Sequence, residues 1–247
     1  MQLERQLRDL GLECGSMVMV HASMRAVGGR AEALVSALLN GLGPEGTLMA
    51  YLDFELTEQT PYFDLQRSPA AADHGVMAEV IRCWPGAVRS ASPGASVAAV
   101  GARAEWLCAD HSLQYGYGPG SPFAKLVEAR GQVLLLGSHL DHVTLLHYAE
   151  HLAQLPNKRV VRYQVPTPNG ALDIEEFDTS EGVVEAMPHD YFDRTIRDFI
   201  ATGAAQCGRV GGAPSYLLPA AELTAFAVRK MERELAPASL SFKGARP

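Results

Sequence analysis

Apolar positions along the chain fall into two rhythms. Leu3, Leu7, Leu10 and Leu12 recur near helical spacing before Gly15, so residues 2–12 are predicted to form a helix. The next run, "SMVMVHAS" (16–23), is short, apolar and closed by polar residues, as a buried strand would be. "RAEALVSALLNGLG" (30–43) returns to a helix with one apolar face and a glycine stop, and "GPEGTLMAYLDF" (43–54) gives a turn and a second strand. Further on, 74–84, 102–111, 123–130 and 143–154 are predicted helices, while "ASVAAVG" (95–101) and "QVLLLGS" (132–138) are predicted strands. "YGYGPGSP" (115–122) is too rich in Gly and Pro for regular structure.

Residues 158–177 differ in character, reading as two strands joined by a Pro/Asn/Gly turn. The tail, 189–235, is predicted to be helical, with "GRVGGAPSYLLP" as a Gly-rich interruption. Alternating helices and buried strands imply an α/β fold: a central mixed sheet flanked by helices, with an additional β-hairpin near residues 158–178. No repeat or long linker divides the 247 residues, so one domain over 1–247 is expected.

Charge and cysteine usage narrow the function. A formal net charge of −7 argues against nucleic acid, whose phosphates need a basic partner surface, and favours cationic substrates. Cys14, Cys83, Cys108 and Cys207 are scattered without a C-x-x-C, which removes a cysteine zinc site and a disulfide framework. The opening "MQLERQLRDLGLECG" carries charges where a signal peptide is apolar, and no apolar run approaches 18 residues, so a cytoplasmic protein without membrane attachment is expected.

The stretch with the most chemistry is "TLLHYAEHL" (144–152), where His147, Glu150 and His151 spell H-x-x-E-H, the inverted zinc-protease signature. It follows the strongest buried strand, and open α/β sheets bind ligands beyond the carboxyl ends of their strands, which places His147 where chemistry would sit. Three readings stand on the residues alone: a zinc-dependent hydrolase using His147, Glu150 and His151, a single catalytic histidine, or a helix with one buried and one exposed histidine. "LDIEEFD" (172–178) sets Glu176 and Asp178 on one face of a strand, able to orient a histidine, hold a cation or simply meet solvent. "HASMRAVGG" (21–29) is a strand end running into a turn whose backbone N–H groups and Arg25 could receive phosphate oxygens.

Taken in order, "VHASMRAVGG", "GAVRSASPGASVAAVG", "GPGSPFAKLVEARGQVLLLG", "TLLHYAEHLAQLPNKR", "EEFDTSEG" and "GRVGGAPSYLLPAAELTAFAV" resemble the aminoglycoside 3-N-acetyltransferases, over about residues 2 to 235. The resemblance implies an antibiotic N-acetyltransferase-like fold, distinct from the common GNAT acetyltransferases. It also implies transfer of acetyl from acetyl-CoA to the 3-amine of a 2-deoxystreptamine ring, with antibiotic resistance as the outcome. It places the catalytic base at His147 and the acid that orients it at Glu176, with Asp178 a further acidic position. It carries a coenzyme A role to Ala22, Ser23, Met24, Arg25, Val27, Gly28, Arg89, Ser90, Ser121 and Phe123, and it implies no metal.

The implied chemistry suits the residues. An aminoglycoside amine is mostly ammonium at neutral pH, and histidine, with an ordinary pKa of about 6.5, suits its deprotonation. No cysteine lies in a motif that would support an acetyl-enzyme, so direct attack is expected. A polycationic substrate also gives the net negative charge a use, and Asp53, Asp141, Glu150 and Asp178 are the expected substrate-binding carboxylates. Two departures bear on substrate range: Ser92-Pro93 stands where the family commonly has His-Pro, and the segment 52–73 is shorter than in longer relatives. Monomer and homodimer remain open.

Overall fold

Odd and even positions of the central strands face opposite ways, and each set has its own core. In β1 (Met17–Ala22), Met17 and Met19 join one cluster while Val18 and Val20 join the other. β2 (Thr47–Tyr51) splits likewise, with Met49 and Tyr51 on the first side and Leu48 and Ala50 on the second. A strand apolar on both faces must be covered on both, and the result is three layers.

The computed structural model describes residues 2–180, 182–185 and 187–235. Its main sheet also contains β3 (Val88–Arg89), β4 (Val97–Gly101), β5 (Gln132–Leu136), β8 (Gln206–Val210) and β9 (Ala213–Pro219). Strand order is β3-β4-β2-β1-β5-β9-β8, with β2, β1 and β5 mutually parallel and every other pairing antiparallel. β6 (Val160–Thr167) and β7 (Gly170–Phe177) form the separate hairpin expected from the sequence, with Val160 opposite Phe177.

Helices α1 (Gln2–Asp9), α3 (Ala31–Leu42) and α4 (Gly75–Arg82) cover one sheet face through Leu7, Leu34, Leu38, Met77 and Ile81. The other face meets α5 (Ala104–Cys108), α6 (Pro122–Glu128), α7 (Leu145–Leu152), α8 (Tyr191–Ala201) and α9 (Ala220–Leu235). α2 (Met24–Val27) is a single turn directly after β1. The fold is therefore the expected mixed α/β sheet flanked by helices.

One sequence expectation fails. The Gly-rich interruption at 208–219 belongs to the hairpin β8–β9, which extends the main sheet beside β5. β8 lies at the sheet edge with Gln206, Cys207, Gly208 and Arg209 exposed, so it carries no apolar alternation to read. Thr144 precedes α7 as expected, yet its side chain makes no capping bond.

The crossing between β2 and α4 is tied down by Glu79. Its carboxylate takes the Arg82 guanidinium and the Ala70 amide, and the Arg82 hydrogen bonds hold its pKa down at about 2. Because the folded value lies below the ordinary one of 4.5, this stabilisation is present above about pH 4.5 and is lost as pH falls through about 2. A Glu79→Gln variant is expected to melt below wild type at pH 7, with the gap closing as acid is added. Parallel melting curves across that range would remove this role.

Candidate active site

Because β2, β1 and β5 run parallel and adjacent, their carboxyl ends open onto one edge, and the segments leaving them build the site. β1 runs into Ser23–Arg25, β2 into Asp53, and β5 through Gly137 towards His142 and α7. Gly137 has φ +63, and a Cβ there would meet Ala26 Cβ at 2.6 Å and Ala213 Cβ at 2.8 Å, so only glycine lets the chain turn between those neighbours.

His147 lies in the first turn of α7 and borders two adjoining cavities of about 320 and 550 Å3. Its ring sits between Tyr117 and Phe192, both at 5.0 Å between centroids. Its Nδ1 is 2.7 Å from Glu150 Oε2, and Glu150 is only 2 % exposed. A carboxylate oxygen accepts, so the proton in this bond is carried by Nδ1. The helix supplies this pairing itself, since residues three apart are neighbours on its surface.

That geometry corrects the expected partner of His147. Glu176 binds a different histidine: its Oε1 takes His151 Nε2 at 2.8 Å and the Phe177 amide at 2.7 Å, and its Oε2 takes the Tyr117 amide. Glu176 still lines the smaller cavity, and by these bonds it clamps the 115–118 loop and α7 to the hairpin. His151 is packed against Phe177 and Tyr115. The H-x-x-E-H string is thereby split, each histidine facing its own carboxylate. Among the described residues no group of three or more His, Cys, Asp or Glu side chains is arranged to hold a metal ion.

The cavities are acidic. Asp53, Asp73, Asp141, Glu150 and Glu176 line one or both, and among the described residues no Lys or Arg does. Asp53 has φ +53, a left-handed conformation that few non-glycine residues adopt. It is held there because Arg89 donates to the Asp53 carbonyl and to Ser96 Oγ, both at 3.0 Å, and also to Ser68 O. Asp178 does not belong with this set. It is 4 % exposed, with its carboxylate on Arg159 at 2.7 Å and on Ser180, and it lines neither cavity.

A third cavity, about 350 Å3, adjoins the first and is lined by Ala22, Ser23, Met24 and Arg25 from the expected coenzyme segment. The other residues expected there lie elsewhere. Val27 is buried in the core and Gly28 is exposed at the end of α2. Arg89 braces Asp53. Ser90 is fully buried, bonding the Val97 amide and His111 Nδ1, while His111 Nε2 donates to Gly116 O and burial lowers that histidine to about 4. Ser121 caps α6 through the Ala124 amide, and Phe123 is buried against Tyr51 and Tyr117. These four support the site's wall from behind. Ser92 is likewise 2 % exposed and off the cavity; its neighbour Gly94 lines it and accepts from the Tyr51 and Tyr117 hydroxyls.

Sequence reasoning passed over Tyr51, Asp73, His74, Tyr117 and His142, all of which line the site. Asp73 ends the 52–73 segment and His74 follows it; of that segment, Asp53 alone was singled out in advance as a substrate-binding residue.

A carboxylate-bonded histidine in an acidic cleft, beside a second groove at the strand ends, is chemically suited to group transfer onto a cationic acceptor. Residues 19–232 match the family model described as aminoglycoside 3-N-acetyltransferase. The chain is 41% identical over 248 residues to aminoglycoside N(3)-acetyltransferase III of Pseudomonas aeruginosa, covering 90% of this chain and 89% of that protein. Among solved structures, AAC-IIIb in its binary complex with CoASH is 45% identical with a TM-score of 0.90, covering 96% of this chain and 97% of that one. AAC-VIa bound to sisomicin is 37% identical with a TM-score of 0.88, covering 95% and 97%. The chain belongs to the aminoglycoside 3-N-acetyltransferase family, and with it to the acyltransferases. No helix among the described residues is long and apolar enough to cross a membrane.

Proposed function

We propose that the chain transfers acetyl from acetyl-CoA to the 3-amine of a 2-deoxystreptamine aminoglycoside by direct attack, with His147 as general base oriented by Glu150. The observation that carries this reading is the His147–Glu150 hydrogen bond, which leaves Nε2 as the base in a cleft walled by carboxylates. The carboxylates suit a polycation, and they raise its local concentration. The groove lined by Ala22, Ser23, Met24 and Arg25 is the donor's place, with Asp53 and Asp141 contacting the acceptor.

The ammonium first gives one proton to solvent; as the freed amine nitrogen attacks the thioester carbon, its next proton passes to His147 Nε2 and then to the departing thiolate. Glu150 stabilises the imidazolium formed between these events. Direct attack is favoured over an acetyl-enzyme because no cysteine lines the three cavities and Cys108, the buried one, has its thiol pushed up to about 12 by burial. The enzyme works in the cytoplasm, where acetyl-CoA is available, and its product is an antibiotic with one cation fewer.

The test is thiol release from acetyl-CoA across an aminoglycoside panel. Release is expected to depend on the aminoglycoside, and the Michaelis constant for the drug is expected to rise with salt as carboxylate attraction is screened. Thiol release at the same rate without any aminoglycoside would overturn the proposal.

A further inference from the structure

The acceptor cavity and the donor groove share a wall made by Tyr51, Asp73, His74 and His142. If acetyl-CoA lies in one and the amine in the other, the thioester must meet the amine at that wall. His74 stands there at the N-terminal edge of α4, with its ring held edge-on to Tyr51 at 4.5 Å. Its Nε2 is shielded from solvent and has no hydrogen-bond partner. The nearest acceptors, Asp53 Oδ2 at 3.7 Å and Asp73 Oδ1 at 3.6 Å, are too distant for one.

Two more orphaned polar atoms, His21 Nε2 and Ser138 Oγ, belong to residues lining the donor groove. Buried polar groups in folded proteins are normally bonded, so three orphans around one groove point to a ligand as the missing partner. His21 stays neutral, since burial lowers it to about 3. The Asp73 side chain beside His74 is 80% exposed and is free to turn aside for that ligand.

We propose that His74 Nε2 donates a hydrogen bond to the carbonyl oxygen of the donor thioester, while His21 and Ser138 hold the polar arm of the same molecule. This rests on the acetyl-CoA reading above. When the amine lone pair forms the new N–C bond, the carbonyl π pair moves onto oxygen, and the His74 N–H stabilises that charge as it develops. Collapse of the intermediate restores the carbonyl, the C–S pair leaves with sulfur, and the proton held by His147 completes the thiol. His74 thus acts on the electrophile and His147 on the nucleophile.

His74→Leu is expected to lower kcat about 100-fold, with both Michaelis constants little changed, and His74→Gln, which restores a donor near the same place, to regain at least about tenfold. A second readout is the carbonyl stretch of bound acetonyl-CoA, an unreactive ketone analogue. Wild type should shift it to lower wavenumber than in water, and His74→Asn, whose amide falls short of the carbonyl, should lose that shift. Unchanged kcat in His74→Leu, a rise only in the aminoglycoside Michaelis constant, or a carbonyl band that does not respond to His74→Asn would each overturn the assignment. If His147→Ala loses activity while His74→Leu keeps it, this inference fails alone; if His147→Ala keeps activity, the catalytic reading beneath it fails.

Discussion

Replacing His147 with alanine is expected to reduce kcat for acetyl transfer by about 10^2–10^4-fold, the usual contribution of a positioned general base. Without a base at this spot, the proton that leaves the amine as the N–C bond forms has no positioned acceptor. The Michaelis constant for acetyl-CoA should stay close to wild type, because His147 lines the two acidic cavities and does not line the groove of Ala22–Arg25. Stability should fall by about 1–3 kcal/mol, since the substitution takes the His147 partner from the buried Glu150 carboxylate and leaves space between Tyr117 and Phe192. Near-normal turnover in a folded His147→Ala protein would remove the base assignment.

The second large effect separates two carboxylates. Glu150→Gln should lower kcat roughly 100-fold, because an amide can present a donor to Nδ1, reverse the tautomer and leave no charge beside the imidazolium. Glu176→Gln should act mainly on stability. Glu176 is 6 % exposed and accepts from His151, Phe177 and Tyr117, so weakening that cluster is expected to cost about 1–3 kcal/mol while kcat stays within about tenfold. Urea melts and initial rates on the two variants decide it. A Glu176→Gln enzyme as slow as Glu150→Gln, with unchanged stability, would return the orienting role to Glu176.

That contrast also shows what the sequence could and could not tell. The His147–Glu150 pairing was available from spacing alone, since the two are three apart on one helix. Family resemblance drew attention instead to Glu176, which the fold places on His151. No local pattern could reveal that contact, because it depends on how β7 docks against α7. The central strands were legible because burial on both faces leaves long apolar runs such as "QVLLL". β8 was not, because an edge strand with exposed polar side chains looks like a loop, and β9 leads straight into a helix whose pattern masks it.

The residues expected to hold coenzyme A separate into two groups in the fold. Ala22–Arg25 line the groove proposed for the donor, whereas Arg89, Ser90, Ser121 and Phe123 lie off it, with Arg89, Ser90 and Ser121 bonded within the scaffold and Phe123 buried. Motif membership marks a position the fold depends on, and only the geometry separates contact from support. Asp178 is the same case among the acids, a carboxylate engaged by Arg159 and Ser180 instead of facing the cleft.

On the proposed chemistry, the acetyl group of acetyl-CoA ends on one amine of the drug. NMR of the product formed from acetyl-CoA and sisomicin decides where that acetyl group goes. One acetyl group on the 3-amine, with one equivalent of free thiol, is the predicted result. Acetylation at any other amine, or free acetate with the drug unchanged, would contradict it.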